Sequence, residues 1–215
     1  MLNILKVLIP FIVAMPLAMA QEAPPGEQCK LRRGTLCADM KLMGADLSGA
    51  DLANSQFTGT DLSEANLQSA NLKEANLSRS MLRKANLTQA NLEKADLSSA
   101  NLAEATLQRA NLREIKVENA VLTGADFTGA NLSGVSFYLS ELENVRLQNA
   151  ILQDADFRAA TLQGVSMAGA DLNGANFDGA NLQRADLSGA KLEGANFKGA
   201  RIEGCIGCPA VSSGR

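Results

Sequence analysis

The sequence predicts a repeat solenoid whose coils stack at the spacing of neighbouring strands, and two periods carry that prediction. The shorter one is five: across residues 42–202, every fifth residue is large and apolar, usually Leu or Phe, and no polar residue enters this central column. A period of five fits neither a 3.6-residue helix nor a two-residue strand, so the chain must turn a corner every five residues. Units repeated at a fixed period bury their apolar faces by stacking on one another.

The longer period is 20 residues and sets the length of one coil. Five of the six phenylalanines of the central column are separated by multiples of 20, namely Phe57, Phe137, Phe157, Phe177 and Phe197. Charges at the same spacing alternate in sign in three sets, which are Glu64, Lys84 and Glu104; Glu74, Lys94 and Glu114; and Lys73, Glu93 and Arg113. Opposite charges attract when they lie above one another in adjacent coils. We therefore predict four five-residue units per coil.

Two residues before each central residue stands a small one, usually Ala, which forms a small-residue column over residues 45–200. Asp or Asn usually lies between the two, as in Ala45-Asp46-Leu47. This A(D/N)LXX pattern, present over residues 40–204, resembles the pentapeptide-repeat family. The resemblance implies an all-β fold, a right-handed quadrilateral parallel β-helix of about eight coils of four pentapeptides. It implies no particular function, because the repeat encodes an architecture.

The N-terminal residues have the features of a secretory signal peptide. Lys6 precedes an apolar stretch, and Ala18-Met19-Ala20 forms a cleavage site before Gln21. The apolar run is too short for a comfortable membrane span; the alternative is a retained, membrane-tethering N-terminus. We expect cleavage after Ala20, a leader and cap over residues 21–39, the β-helix over 40–204, and a C-terminal cap and tail over 205–215. The protein is expected to be periplasmic or secreted, with no membrane span after cleavage.

The cysteines lie at the two ends of the repeat block, at Cys29, Cys37, Cys205 and Cys208. A block of about 40 Å, at strand spacing, prevents an N-terminal cysteine from reaching a C-terminal one within a monomer. The disulfides expected in an oxidising compartment are therefore local, Cys29 with Cys37 and Cys205 with Cys208. A redox or metal role for Cys205-Ile206-Gly207-Cys208 is the alternative, but a redox CxxC normally opens a helix, and nothing after it suggests one.

Other chemistry is sparse. The chain has no His, which excludes imidazole acid–base catalysis and His-ligated metals. The many Asp residues occupy the position where Asx side chains bond to turn backbone and to the adjacent coil. A narrow core filled by Leu, Phe and Ala offers no interior pocket. We expect no catalytic, cofactor-binding or metal residues, no cofactor and no small-molecule substrate; a carboxylate-based envelope enzyme is the alternative.

Two irregularities divide the repeat block. Gly is common two residues after the central residue in the first and last coils but absent there over residues 64–119, which predicts a different turn type in the middle coils. Over residues 135–141 the usual polar outward residues are replaced by Tyr138 and Leu139, with Val121 and Ile151 outward on other faces. Tyr138 and Leu139 are a candidate patch for a partner or for self-association; a local kink explains the segment equally well.

These observations favour a non-enzymatic structural or protein-interaction scaffold of an extracytoplasmic bacterial compartment, a rigid rod with flat faces. It is expected to bind an unidentified protein partner as a monomer or weak homodimer. The resemblance offers one alternative, since some family members mimic a DNA duplex, bind type II topoisomerases and protect them from quinolones. Mimicry requires a strongly acidic stripe, whereas the net charge is −3 and Lys and Arg are interleaved with Glu. Neither this role nor a nucleic-acid partner is expected.

Overall fold

Parallel backbone bridges join residues that lie 20 apart along the chain. The computed structural model describes residues 29–210, and its bridges run from the pair Leu36 and Gln56 to the pair Asp186 and Ile206. Each is an isolated bridge at every fifth residue, and residues 29–210 contain neither a longer strand nor a helix. Nothing in that range has the length and apolar character of a membrane-spanning helix. One coil takes 20 residues, in agreement with the longer period.

The same hydrogen bonds recur in most of the five-residue units. In a middle coil, Leu82 N donates to Asn101 O of the next coil at 2.7 Å. Ala85 N donates back to Leu82 O at 3.0 Å and closes a tight turn, after which Asn86 N donates to Ala65 O of the preceding coil at 2.9 Å. The turn provides the corner that a period of five requires. Coil-to-coil bonds on both sides of each unit build the stack.

The central and small-residue columns form one continuous buried core. Central residues such as Leu92 and Phe157 are fully buried, and so are small residues such as Ala85. The predicted phenylalanine face is confirmed: the rings of Phe137, Phe157, Phe177 and Phe197 stack in succession, with centroids 5.1, 4.8 and 4.8 Å apart. Within residues 29–210 these two columns occupy the interior, so the outer faces are the surfaces considered for function.

The Asp and Asn residues of the repeat serve the backbone. Asp46 Oδ1 accepts from Ser48 N at 3.1 Å and from Asn66 Nδ2 of the next coil at 3.1 Å. Asn86 Nδ2 in turn donates to Asn66 Oδ1 at 3.2 Å. Such bonds recur along the rod and confirm the predicted structural role of these side chains. Carboxylates bound in this way are held in the turns.

The prediction of a different turn in the middle coils is wrong. The residue two after each central residue keeps a left-handed backbone there without Gly, as at Glu64 (φ 59°), Ser99 (φ 59°) and Asn119 (φ 56°). Gly59, at the equivalent position of an earlier coil, has φ 68°. Left-handed backbone is strained by roughly 1–2 kcal/mol in residues with a Cβ. Because the coil-to-coil bonds and the tight turn fix both neighbours of this position, the geometry is imposed whatever residue occupies it.

Both ends carry paired cysteines. The Cα atoms of Cys29 and Cys37 are 5.4 Å apart, and both side chains are buried at the N-terminal end of the core. The Cα atoms of Cys205 and Cys208 are 5.8 Å apart, and these side chains are only partly buried. Residues 1–28 and 211–215, which include the predicted signal peptide, lie outside the described residues.

Candidate protein-docking site

The bridge ladder of residues 36–206 is interrupted in one place. The bridges that the 20-residue register requires between Lys116 and Ser136 and between Val121 and Glu141 are absent, whereas those before and after them in the chain are present. We call this place the interrupted ladder; it comprises residues 114–124 of one coil and 133–143 of the next. Two adjacent faces of the rod therefore lack a coil-to-coil bridge here, while the other two keep theirs.

The interruption leaves several backbone groups unbonded on both coils. Just before it, Leu112 N donates to Asn131 O at 2.7 Å, and just after it, Phe127 N donates to Arg146 O at 2.8 Å. Between them, the equivalent N–H groups make no hydrogen bond with any residue of the described part; they belong to Glu114, Val117, Asn119, Leu122, Gly124, Ser136 and Glu141. Between the second of these coils and the one that follows it in the chain, the bond from Asn144 N to Gln163 O is likewise absent. Of these residues, Glu114, Asn119, Ser136 and Glu141 are exposed, whereas Val117 and Leu122 are buried.

Bulky residues in the small-residue column account for the opening. Ile115 and Val135 occupy successive coils of that column, where Ala is usual. A second stack of this kind, Val145 and Val165, lengthens the bond from Ser166 N to Val145 O to 3.4 Å without breaking it. Extra methyl groups at a close-packed corner force the backbones apart. Ile115 is the largest side chain in the column, and at Ile115 the bond is lost.

The size of the central residue on this face also changes between the same two coils. The central residue of this face is Val117, and the next one is Phe137, the first ring of the phenylalanine stack. Ala120 and Ser140, at the neighbouring corner, are each 8% exposed, whereas Ala100 and Ala160 of the flanking coils are 0% and 1% exposed. Solvent thus reaches the edge of the core between these coils.

The outer surface at the interrupted ladder is apolar. Tyr138, Leu139 and Val121 are 54%, 63% and 47% exposed. Arg158 lies over the Tyr138 ring, 5.4 Å from its centroid, and is held by two bonds to Asp156 of 2.9 and 2.7 Å. The structure thus keeps the predicted patch of Tyr138 and Leu139 together on the surface. It also brings Val121, predicted on another face, to the same cavity as Leu139.

That cavity lies between the two coils and has a volume of about 240 Å³. Its lining combines apolar with polar side chains and consists of Asn119, Ala120, Val121, Thr123, Leu139, Ser140 and Glu141. Sequence reasoning found the exposed residues but missed the opening beside them. The signal that would have found it was the adjacent placement of Ile115 and Val135 in a column of small residues.

The charged side chains of the middle coils form ion pairs. Each predicted charge set forms an ion pair: Lys73 with Glu93 at 3.2 Å, Lys84 with Glu104 at 3.8 Å, and Lys94 with Glu114 at 3.8 Å. Glu118, Glu141 and Glu143 are exposed and have no ion-pair partner among residues 29–210, although Glu143 lines a cavity together with Arg184. Glu64 and Glu74 of the middle coils are unpaired as well, so unpaired acidic side chains are not confined to the interrupted ladder.

A second concavity lies on the adjoining face. It is an open polar trough of about 750 Å³ whose lining includes Asn131, Ile151 and Asp171. Burial raises the pKa of Asp171, but hydrogen bonds from Gln153 and from backbone, with the charge of Lys191, outweigh it and leave that pKa below its ordinary value. No group of three or more potential metal ligands occurs in the described part of the chain. The trough gathers no acid–base pair with opposed pKa shifts, the arrangement typical of a catalytic site.

Family comparison agrees with this geometry. The model of the pentapeptide repeats matches residues 41–79, 60–98, 80–116, 100–138, 140–179 and 170–206. The chain therefore belongs to the pentapeptide-repeat family, whose members fold as right-handed β-helices. No curated protein sequence matches it significantly.

Two solved structures are similar to the chain. HetL, a pentapeptide repeat protein involved in heterocyst differentiation regulation in the cyanobacterium Nostoc sp. strain PCC 7120, is 31% identical with a TM-score of 0.56, over 79% of this chain and 88% of HetL. Trypsin-treated QnrB1, a plasmid-mediated fluoroquinolone resistance protein, is 22% identical with a TM-score of 0.56, over 77% of this chain and 86% of QnrB1. The likeness to QnrB1 is one of fold alone.

Proposed function

We propose that this chain is a non-enzymatic scaffold, a rigid rod of about eight coils that binds a protein partner in an extracytoplasmic bacterial compartment. The observation that carries the proposal is the interrupted ladder, where unbonded backbone and the apolar side chains of Tyr138, Leu139 and Val121 meet on the surface. A contiguous apolar patch beside free strand groups is typical of a protein-docking surface. The regular faces elsewhere serve to hold this surface rigid.

Export is supported by the sequence of residues 1–20, with its apolar stretch and Ala18-Met19-Ala20, and by the pairing of all four cysteines. Disulfides persist in oxidising compartments such as the periplasm and are rare in the cytoplasm. The paired cysteines act here as staples for the first and last coils. Staples at the ends are useful in a solenoid because its terminal coils have a neighbour on one side only.

Catalysis is not part of the proposal. The carboxylates at the Asp/Asn position of the repeat are bound in turns, and the trough beside the site lacks an acid–base pair. Topoisomerase binding is not favoured either, because the likeness to QnrB1 is one of fold and the charge sets of the middle coils form compensating ion pairs.

Cell fractionation tests the location. The protein is recovered from cells expressing the complete gene, its N-terminus is sequenced and its free thiols are counted. We expect an extracytoplasmic chain that begins at Gln21 and has no free thiols. A full-length cytoplasmic chain with four free thiols would overturn both the location and the role of the disulfides.

Photo-crosslinking tests the docking surface. A photoreactive phenylalanine analogue replaces Tyr138 in one variant and Ser78, on the same face three coils away, in the control. Both positions are on the outside of regular turns, so both variants are expected to fold. We expect a defined crosslinked protein from position 138 and none from position 78. Equal crosslinking at the two positions, or none at position 138, would contradict a docking surface at the interrupted ladder.

A further inference from the structure

We infer that one end of the rod binds to a membrane surface that contains anionic lipids. That end is the first coil, residues 29–48, which we call the N-terminal end. It shares no residue with the interrupted ladder. A basic cluster and exposed apolar side chains meet there, in a coil whose repeat pattern is reversed.

The basic residues of the N-terminal end are unusually dense. Lys30, Arg32 and Arg33 fall within four consecutive residues, which happens nowhere else in the sequence, and residues 28–38 contain no Asp or Glu. All three side chains are exposed, and so is Lys41 in a later unit of the same coil. No ion pair joins any of these cations to an acidic residue within 29–210. The described part of the chain therefore leaves their charge unmatched.

The two acidic residues of this coil lie toward the second coil. The Asp39 carboxylate lies against Gly59, where an added Cβ would meet it. Asp46 Oδ1 accepts from Asn66 Nδ2 at 3.1 Å. Both Gly59 and Asn66 belong to the next coil, so neither carboxylate compensates the cations at the end of the rod.

The apolar residues of the N-terminal end reverse the repeat. Leu31 and Leu36 occupy the Asp/Asn position in successive units, whereas over residues 41–206 apolar residues never occupy that position in successive units. Arg32 occupies the central position, which is apolar throughout residues 42–202. Leu31, Leu36 and Met43 are 36%, 78% and 63% exposed. This coil therefore has apolar side chains on its outside.

The reversal does not come from a loss of the coil. Thr35 N donates to Arg32 O at 3.1 Å and closes the same tight turn as in the regular units, and Gly34 N donates to Ala53 O of the next coil at 2.8 Å. Leu36 forms a parallel bridge with Gln56. The backbone thus holds the exposed leucines in the register of the rod.

A lipid surface fits this combination better than a soluble anionic polymer does. Leu31, Leu36 and Met43 belong to successive units and so lie on adjacent faces around one end, where a single surface beneath that end reaches all of them. At a membrane, apolar side chains enter the interface while Lys and Arg bind the anionic headgroups. A soluble polyanion would pair with the cations but leave the apolar side chains in water.

The test uses the chain that begins at Gln21 and measures its sedimentation with vesicles of phosphatidylcholine, either alone or with about 30% phosphatidylglycerol. This chain retains Glu22 and Glu27, which lie outside the described residues, so binding is measured with their charge present. We expect binding to the anionic vesicles to be at least about tenfold tighter than to the neutral ones and to weaken at high salt. Equal binding to both kinds of vesicle, or none, overturns the inference.

Charge variants place the binding on the rod. The variant Lys30→Gln, Arg32→Gln, Arg33→Gln should bind the anionic vesicles at least about tenfold more weakly, because each cation near an anionic surface strengthens binding severalfold. The matched control removes the same charge from exposed positions near the opposite end and should bind as the unmodified chain does; it is Arg184→Gln, Lys198→Gln, Arg201→Gln. Equal losses in the two variants would show that net charge governs binding and would overturn the inference.

An apolar variant separates a lipid surface from a soluble polyanion. Leu36→Asn restores the usual residue of its position and should weaken binding to the anionic vesicles by about threefold or more. Met81→Asn makes the same kind of change at the same repeat position in a middle coil, where Met81 is 44% exposed, and should have no effect. Both side chains are exposed, so both variants are expected to fold, which thermal denaturation checks. Undiminished binding of Leu36→Asn would reject a lipid surface and overturn the inference.

Discussion

Ile115 and Val135 stand one coil apart in the small-residue column, and the bond that should join their coils, from Ser136 N to Ile115 O, is absent. At Ala105 and Ala125, at another corner of the rod, the equivalent bond from Asp126 N to Ala105 O measures 2.9 Å. The difference lies in side-chain volume at a corner where the backbones must approach closely. The proposed docking surface thus depends on residues in the core of an otherwise regular rod.

The phenylalanine stack is expected to stabilise the C-terminal coils beyond the burial of its rings. Phe157 lies between Phe137 and Phe177, with centroid distances of 5.1 and 4.8 Å, whereas the equally buried Phe57 stands between Cys37 and Leu77 in its column. Phe157→Leu should therefore lower the free energy of unfolding by about 1 kcal/mol more than Phe57→Leu, since stacked aromatic pairs add to area burial. Urea denaturation of both variants measures the difference; equal losses would show that stacking adds nothing.

The left-handed turn residues predict opposite effects of one substitution at two sites. Ala159 has φ 54°, whereas Ala103, one residue earlier in its unit, is not left-handed. Ala159→Gly should stabilise the protein by about 0.5 kcal/mol because it relieves the strain of a Cβ in this conformation. Ala103→Gly should destabilise it by about 0.5–1 kcal/mol. Both changes have the same effect on the unfolded chain, so a shared sign in thermal denaturation would contradict the turn geometry.

Asp126 should make the stability of the rod sensitive to acid. It is 3% exposed and accepts from Arg146 Nη2 at 2.8 Å, Gln108 Nε2 at 2.6 Å and Thr128 Oγ1 at 2.6 Å. Burial raises the pKa of Asp126, but the hydrogen bonds, that from Arg146 foremost, outweigh it and hold the pKa well below its usual range. A folded pKa below the unfolded value of about 3.9 means that this stabilisation is present above about pH 4 and is lost as the pH falls toward the folded pKa.

Asp126→Asn should accordingly lower stability at neutral pH by about 2 kcal/mol and reduce the loss of stability between about pH 5 and pH 2. Asp51→Asn is the control, because Asp51 is exposed and its carboxylate accepts from Ala53 N and Asn71 Nδ2 without an arginine partner. Urea denaturation across this pH range gives both quantities. An unchanged acid dependence in Asp126→Asn would mean that the carboxylate is not held as described.

The two disulfides should differ in their resistance to reduction. The side chains of Cys29 and Cys37 are buried in the first coil, whereas those of Cys205 and Cys208 are partly exposed at the last one. Because thiol–disulfide exchange requires access to a sulfur, dithiothreitol under native conditions should reduce the C-terminal pair first. Alkylation followed by mass spectrometry at successive times measures the order, and earlier release of Cys29 and Cys37 would contradict it.

The fold was predictable from sequence because the two periods leave the chain almost no other way to bury its apolar residues. The central column, the phenylalanine face and the charge sets all have the register predicted from spacing alone. The prediction of a different turn in the middle coils failed because it inferred the backbone conformation from the absence of Gly. The hydrogen bonds that flank Glu64 and Ser99 impose the left-handed conformation on these residues as well. At the site, exposure of Tyr138 and Leu139 was readable from the pattern. The opening beside them was not, because it depends on how the volumes of Ile115 and Val135 add across adjacent coils.

Native-state hydrogen exchange tests the central claim most directly, since the proposed docking surface depends on the interrupted ladder. The amides of Val117 and Leu122 are compared with those of Leu97 and Leu102, which stand one coil below at the same positions and donate to Lys116 O and Val121 O at 2.8 Å. Amides without a hydrogen-bond partner should exchange at least about 100-fold faster than their bonded counterparts. Equal protection of the two pairs would show that the ladder is continuous and would contradict the docking site built on its interruption.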